Sequence, residues 1–124
     1  MYQSHSLYEQ LGGESMVANA VTIFYRKVME DTRLRPFFEG TNMERQVSMQ
    51  RAFLTTAFGG PNSYSGRDMR RAHAGLVQRG LSDVHFDAVL THLDDTLAEL
   101  GVNKALRDWA RAITESMRKD VLVR

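Results

Sequence analysis

The chain has 124 residues, a formal charge of +1 and no cysteine. That length makes one domain over residues 1–124, and the missing cysteine excludes disulfides, thiolate nucleophiles, iron–sulfur clusters and cysteine-type zinc sites. Interspersed charges leave no footprint for nucleic acid or an anionic membrane, no apolar run is long enough for a bilayer span, and Met1–His5 shows no leader pattern, so the sequence predicts a soluble, cytoplasmic protein with a short flexible tail over residues 1–5.

Helical periodicity recurs from end to end and strand alternation never persists. Ser6-Leu7-Tyr8-Glu9 reads as a capping box, and Gly12-Gly13 limits the first helix to a turn or two. A longer helix starts near Glu14 with Val17, Ala20, Val21, Phe24 and Val28 as its apolar stripe and Tyr25 on the flank. Pro36 cannot sit inside a long helix, so Leu34, Phe37 and Phe38 are placed in a short helical turn ending at Gly40.

Thr41-Asn42-Met43-Glu44 resembles a second capping box, opening a helix that Gly59-Gly60-Pro61 stops after about Phe58. Asn62 to Gly66 reads as a loop, and a helix containing His73 then runs to Gly80. Ser82 caps a helix with the stripe Phe86, Val89, Leu90, Leu93, Leu97 and Leu100. The last helix is expected to be continuous, with Leu106, Trp109, Ala110, Ile113, Met117 and Val121 packed inward. Without repeats or linkers, the predicted class is all-α.

Two features break the apolar pattern. His73 lies among Met69, Ala72, Leu76 and Val77 at helical spacing, so its imidazole turns inward. It is either a core histidine bonded to a backbone carbonyl or an axial ligand for a metal or haem iron. The helix opened at Met43 directs Met43, Gln46, Gln50, Phe53 and Ala57 inward, which puts two amides in one apolar face. Either these amides face a polar ligand or a side-chain network, or the helix is rotated and one of them reaches solvent. Tyr25 could add a phenolic donor to the same space or leave its hydroxyl at the surface. His5, His85 and His92 lack metal-ligand spacing and are read as surface residues.

In order along the chain, Leu7-Tyr8-Glu9-Gln10-Leu11-Gly12-Gly13, Phe24-Tyr25, Ala57-Phe58-Gly59-Gly60, Tyr64-Ser65-Gly66-Arg67, Met69, Ala72-His73 and His85-Phe86-Asp87 together resemble the group I truncated haemoglobins. The resemblance covers nearly the whole chain. It implies a truncated globin fold, two helices over two, around haem b. By the same resemblance His73 is the proximal iron ligand, Tyr25 the principal donor to a bound ligand, and Gln46 and Gln50 secondary donors. Phe24, Phe37, Phe38, Met49, Phe53, Leu76, Phe86 and Val89 become cofactor contacts, and Arg45, Tyr64 and Arg67 become candidates for the haem propionates.

Two departures from the family pattern narrow these expectations. Met49 stands where some members place a second axial histidine, and Met117 stands where some carry a histidine joined covalently to haem. The resemblance therefore implies a five-coordinate ferrous haem held without a covalent bond, binding oxygen reversibly together with nitric oxide and carbon monoxide. An enzymatic alternative is nitric oxide dioxygenation, which needs an external reductase because the chain has no flavin or nicotinamide domain. A reading of another class is a cofactor-free helical interaction module, in which His73 and the glutamines form an internal polar network.

Overall fold

The computed structural model describes residues 6–61 and 65–124. The tail expected over residues 1–5, and with it His5, lies outside the described residues. Ser6 caps helix α1 (Leu7–Leu11) by accepting the Glu9 N–H at 3.2 Å. Gly12 ends α1 at φ 120° and Gly13 opens α2 at φ 65°, two left-handed residues in succession. Only glycine takes both without strain, which is how so short a helix can turn directly into a long one.

Helix α2 (Gly13–Glu30) buries the five stripe residues expected from the sequence. A single 3₁₀ turn at Arg35–Phe37 comes next, with Pro36 in its first positions. Helix α3 (Met43–Ala57) is capped by Asn42, whose Oδ1 accepts the Arg45 N–H at 3.1 Å, and not by Thr41 as the sequence predicts. The cap therefore sits one residue later, and Met43, expected inside, is 66% exposed at the first position of α3. Leu54, which the stripe omitted, is fully buried in its place.

Ser65 and Asp68 form a reciprocal capping box at the start of α4 (Gly66–Gln78), and Ser82 precedes α5 (Asp83–Glu99). The expected terminal helix is broken in two, α6 (Lys104–Glu115) and α7 (Arg118–Val121), with Ser116 and Met117 between them. The break lets Met117 and Val121 turn beneath α4, away from the line of α6. Trp109, expected inside, is 42% exposed on α6, whose inner face is built from the smaller Ala110 and Thr114.

Helices α2 and α3 pack together, α5 and α6 pack together, and the two pairs meet through α2 on α5 and α3 on α6. This two-over-two stack encloses the larger hydrophobic cluster, which runs from Leu7 through Phe24 and Leu54 to Leu97 and Ala110. Gly60 lies so close to the Tyr8 ring that an added Cβ would come within 2.5 Å of it, tying the end of α3 to α1. A second, smaller cluster contains Met69, Phe86, Leu90, Met117, Val121 and Leu122, and Phe53 touches both clusters. Helix α4 belongs to this second cluster, and its principal packing partner is α7.

His92, read from the sequence as a surface residue, is largely covered and donates from Nε2 to Asp31 Oδ2 at 2.7 Å. Asp31, just past the end of α2, also accepts Arg33 Nη2 at 2.8 Å and the Arg33 backbone N–H at 2.9 Å. The Arg33 guanidinium chiefly, assisted by His92 and opposed by burial, holds this carboxyl well below the usual carboxylate range. A carboxyl depressed in the folded state stabilises fully above its unfolded value and loses that contribution as pH falls through the folded one. Asp31→Asn should therefore cost about 1–3 kcal/mol at neutral pH. Urea unfolding at neutral and acid pH checks this: the gap from the parent protein should shrink below about pH 4, and a constant gap would assign the effect to shape and not charge.

Candidate functional site

Between the two hydrophobic clusters lies a cavity of about 560 Å³, within the range of small-molecule and cofactor sites. Phe24, Val28 and Leu34 line it from the larger cluster, and Phe86 and Val121 from the smaller. The 3₁₀ turn adds Phe37 and Phe38, α3 adds Arg45, Gln46, Met49, Gln50 and Phe53, α4 adds Ala72, His73 and Leu76, and α5 adds His85 and Val89. The sequence-predicted contacts Phe24, Phe37, Phe38, Arg45, Met49, Phe53, Leu76, Phe86 and Val89 thus all reach one space.

The side-chain imidazole of His73 is half-buried, and its Nδ1 lies 2.8 Å from the Met69 carbonyl oxygen one turn earlier. A carbonyl only accepts, so Nδ1 carries the proton and Nε2 keeps its lone pair. Nε2 lies across the ring and is directed away from the helix. Burial pushes the His73 pKa down, with the Met69 carbonyl opposing, so the ring is neutral at physiological pH. The backbone-carbonyl bond of the first sequence reading is present, and it leaves the other ring nitrogen with its lone pair free.

On the facing wall, α3 buries Gln46 and Gln50 to 5% exposure each, so the helix is not rotated to release either one. Tyr25 donates its hydroxyl proton to Gln46 Oε1 at 3.0 Å. Gln46 Nε2 donates to the carbonyl oxygens of Phe38 and, at 3.2 Å, Thr41. These bonds tie α2, α3 and the 3₁₀ turn together and saturate the Gln46 amide. Gln50 differs. Neither its Nε2 nor its Oε1 has a hydrogen-bond partner among the described residues. A buried amide left in that condition costs about 1–3 kcal/mol, and this one lines the cavity.

Tyr25 is half-buried and reaches the site through Gln46, not as one of the lining residues. Arg45 is exposed at the rim, where a cation can meet an anionic group, whereas Arg67 is exposed outside the lining and Tyr64 lies outside the described residues. Sequence reasoning missed His85, read as a surface residue. It lines the cavity, accepts the Ser82 backbone N–H on Nδ1 at 3.0 Å and sets its ring edge-on to Phe37 at 4.9 Å. The signal was present, since His85 lies one turn before Val89 on the predicted stripe. Arg79 was also missed. It donates to the Pro36 carbonyl at 2.6 Å and lies 5.7 Å from the centre of the Phe37 ring, fixing the 3₁₀ turn against α4.

An apolar cavity bounded by one neutral histidine with a free lone pair and, opposite it, an unpartnered amide is suited to a flat apolar cofactor with an axial metal. The bacterial-like globin family model matches residues 6–123. The group 1 truncated haemoglobin of Tetrahymena pyriformis is 43% identical over 122 residues, covering 98% of each chain, and that of Synechocystis is 45% identical over 94% of this chain and 97% of its own. Among solved structures, the 2/2 haemoglobin of Synechococcus in the cyanomet state with covalently attached haem is 47% identical, covers 97% of this chain and all of its own, and superposes with a TM-score of 0.86. The Fe(III) form of the Tetrahymena pyriformis protein superposes with a TM-score of 0.83. The chain belongs to the bacterial-like globins and, among them, to the group 1 truncated haemoglobins. Its cofactor is haem with iron, its fold is the two-over-two globin fold, and its general activity is haem-based ligand binding.

Gln50 gives a direct test of how the distal wall is built. Gln50→Leu removes two unsatisfied polar atoms while keeping bulk, so the haem-free protein should gain about 1 kcal/mol. Urea unfolding of the apo-protein measures it, and a loss of stability would show that the amide is already satisfied there.

Proposed function

We propose that the protein reversibly binds oxygen and other diatomic gases at a five-coordinate ferrous haem. The observation that carries this is the unpartnered Gln50 amide set in the same apolar cavity as the free Nε2 of His73. When bound, haem would supply an iron able to take a small gas. His73 would hold that iron through Nε2, its ring kept in one tautomer and one orientation by the Met69 carbonyl.

Gln50 donates to the guest, and no competing bond must break for it to do so. Tyr25 is a second donor. Its proton is shared with Gln46 Oε1, so its contribution is net of the bond it gives up, about 1 kcal/mol. Gln46 orients Tyr25 and is itself anchored to backbone carbonyls. Such donors act strongly here because the surrounding wall of Phe24, Phe53 and Val89 excludes water and lowers the local dielectric. Arg45 at the rim is the candidate cation for a propionate.

The absorption spectrum of the reduced protein before and after carbon monoxide tests the assignment. The parent should be five-coordinate and convert fully, and His73→Ala should lose that signature; a His73→Ala spectrum identical to the parent would remove His73 from the iron. Oxygen release should accelerate by about tenfold in Gln50→Leu, the equivalent of one lost hydrogen bond of about 1.4 kcal/mol. Stopped-flow displacement by carbon monoxide gives the rate, and an unchanged value would exclude Gln50 as a donor.

Haem is held without a covalent bond in this reading. Met117 is 8% exposed and packed among Met69, Phe86 and Leu90, and a thioether there offers no imidazole for attachment. Acidified organic solvent should therefore extract all the haem. Colour retained on the denatured polypeptide would contradict it.

A further inference from the structure

We propose that Arg118 is the positioning residue of the proximal wall, the side of the cavity formed by His73 and Phe86, and that through α7 it sets how firmly that wall holds haem. The side chain is only 18% exposed although fully charged. Nη1 donates to Asp83 Oδ1 at 2.9 Å, Nη2 to Asp87 Oδ1 at 2.6 Å, and Nε to Glu115 Oε2 at 2.6 Å. Its guanidinium carbon lies 4.6 Å from the centre of the Phe86 ring, within cation–π range.

Isolated surface ion pairs contribute little, but a planar fork with several carboxylates and an aromatic ring beneath it specifies one geometry. Arg118 joins three helix ends. Glu115 closes α6, Asp83 opens α5 with Asp87 one turn further on, and Arg118 itself opens α7.

Helix α7 has four residues, too few to persist without tertiary support. Yet it is the principal partner of α4, the helix that carries His73. Val121 of α7 lines the cavity directly, and Met117 shares a buried cluster with Met69, whose carbonyl orients the imidazole. Arg70 on α4 reaches Asp120 at 3.1 Å and the Arg124 carbonyl at 3.0 Å, so α7 is pinned to α4 on its other side. Phe86 is pressed from outside by Arg118 and borders the cavity from within. Arg118 thereby positions both the ring that contacts haem and the short helix that backs the axial ligand.

The inference rests on His73 being the axial ligand. Its test uses the full-length haem-loaded protein and three variants: Arg118→Met, Arg118→Lys, and Lys27→Met as a control that breaks the Lys27–Glu99 pair away from the cavity. Haem transfer to excess apomyoglobin should be about tenfold faster in Arg118→Met, the change expected for losing about 1.4 kcal/mol of holding free energy. It should be less accelerated in Arg118→Lys, which keeps the charge but loses the fork, and unchanged in Lys27→Met. The iron–histidine stretching band of the reduced protein, read by resonance Raman, should shift in both Arg118 variants and stay put in the control.

Unchanged haem transfer in the Arg118 variants would overturn the proposal. So would faster transfer with an unmoved band, which would mean lost stability without any positioning. If Arg118→Met fails to fold, Arg118→Lys decides by the same two measurements. Absence of the band from the parent protein would instead sink the ligand assignment of His73 and this inference with it, whereas a band present in the parent confines any failure to Arg118.

Discussion

A cavity between two hydrophobic clusters removes from a small chain much of the contact that would otherwise join its helices, and every other feature of the site answers to that gap. The larger cluster is closed by the crossing of α2, α3, α5 and α6 and needs nothing further. The smaller one is built from Met69 of α4, Phe86 and Leu90 of α5, and Met117, Val121 and Leu122 in and around α7, with Phe53 of α3 packed against it. His73 sits on the weaker side. Its single backbone bond to Met69 fixes the ring relative to α4, but α4 is only as well placed as the short helix beneath it.

The opposite wall solves a different problem. Three polar side chains must be kept among aromatic rings without collapsing onto one another. Tyr25 and Gln46 do bond to each other, and the Gln46 amide hydrogens are taken up by the carbonyls of Phe38 and Thr41, so that pair is finished as a structural brace. One turn later Gln50 has no carbonyl within reach and stays unfinished. The difference arises from the segment after the 3₁₀ turn, whose Phe38 and Thr41 carbonyls meet Gln46 on the first turn of α3. Folding thus divides chemically equal amides into one that supports and one that is available.

Helix periodicity was legible along α2 and α5, whose stripes face the two clusters, because there burial alone decides which residues turn inward. Val17, Ala20, Val21, Phe24 and Val28 on α2, and Phe86, Leu90, Leu93 and Leu97 on α5, lie buried as the spacing predicts. It failed at the first position of a helix, as at Met43, or where small residues supply the inner face, as at Trp109 on α6. The site's apolar wall and its polar residues were legible too, since a histidine and two glutamines in apolar stripes contradict simple packing. The bonding among them was not. No pattern says that Tyr25 spends its proton on Gln46 or that Gln50 spends none. Arg118 was invisible for a related reason. Its partners come from the first turns of α5 and the end of α6, and an arginine in a helix expected to be continuous reads locally as a solvated charge. His85 and His92 were misread because ligand spacing was the only question asked of them, while both owe their positions to the tertiary neighbours Phe37 and Asp31.

The unfinished amide and the open seam between the clusters also bear on how the chain survives in a cell. Both are defects in the haem-free polypeptide, and haem fills the seam. Because that molecule binds only the folded chain, the equilibrium between folded and unfolded forms becomes a function of free haem concentration, shifting by about 1.4 kcal/mol for every tenfold change once haem is in excess of its dissociation constant. Proteases act on the unfolded fraction, so the lifetime of the polypeptide rises and falls with cofactor supply. The open seam thereby also makes the protein's own abundance responsive to its cofactor.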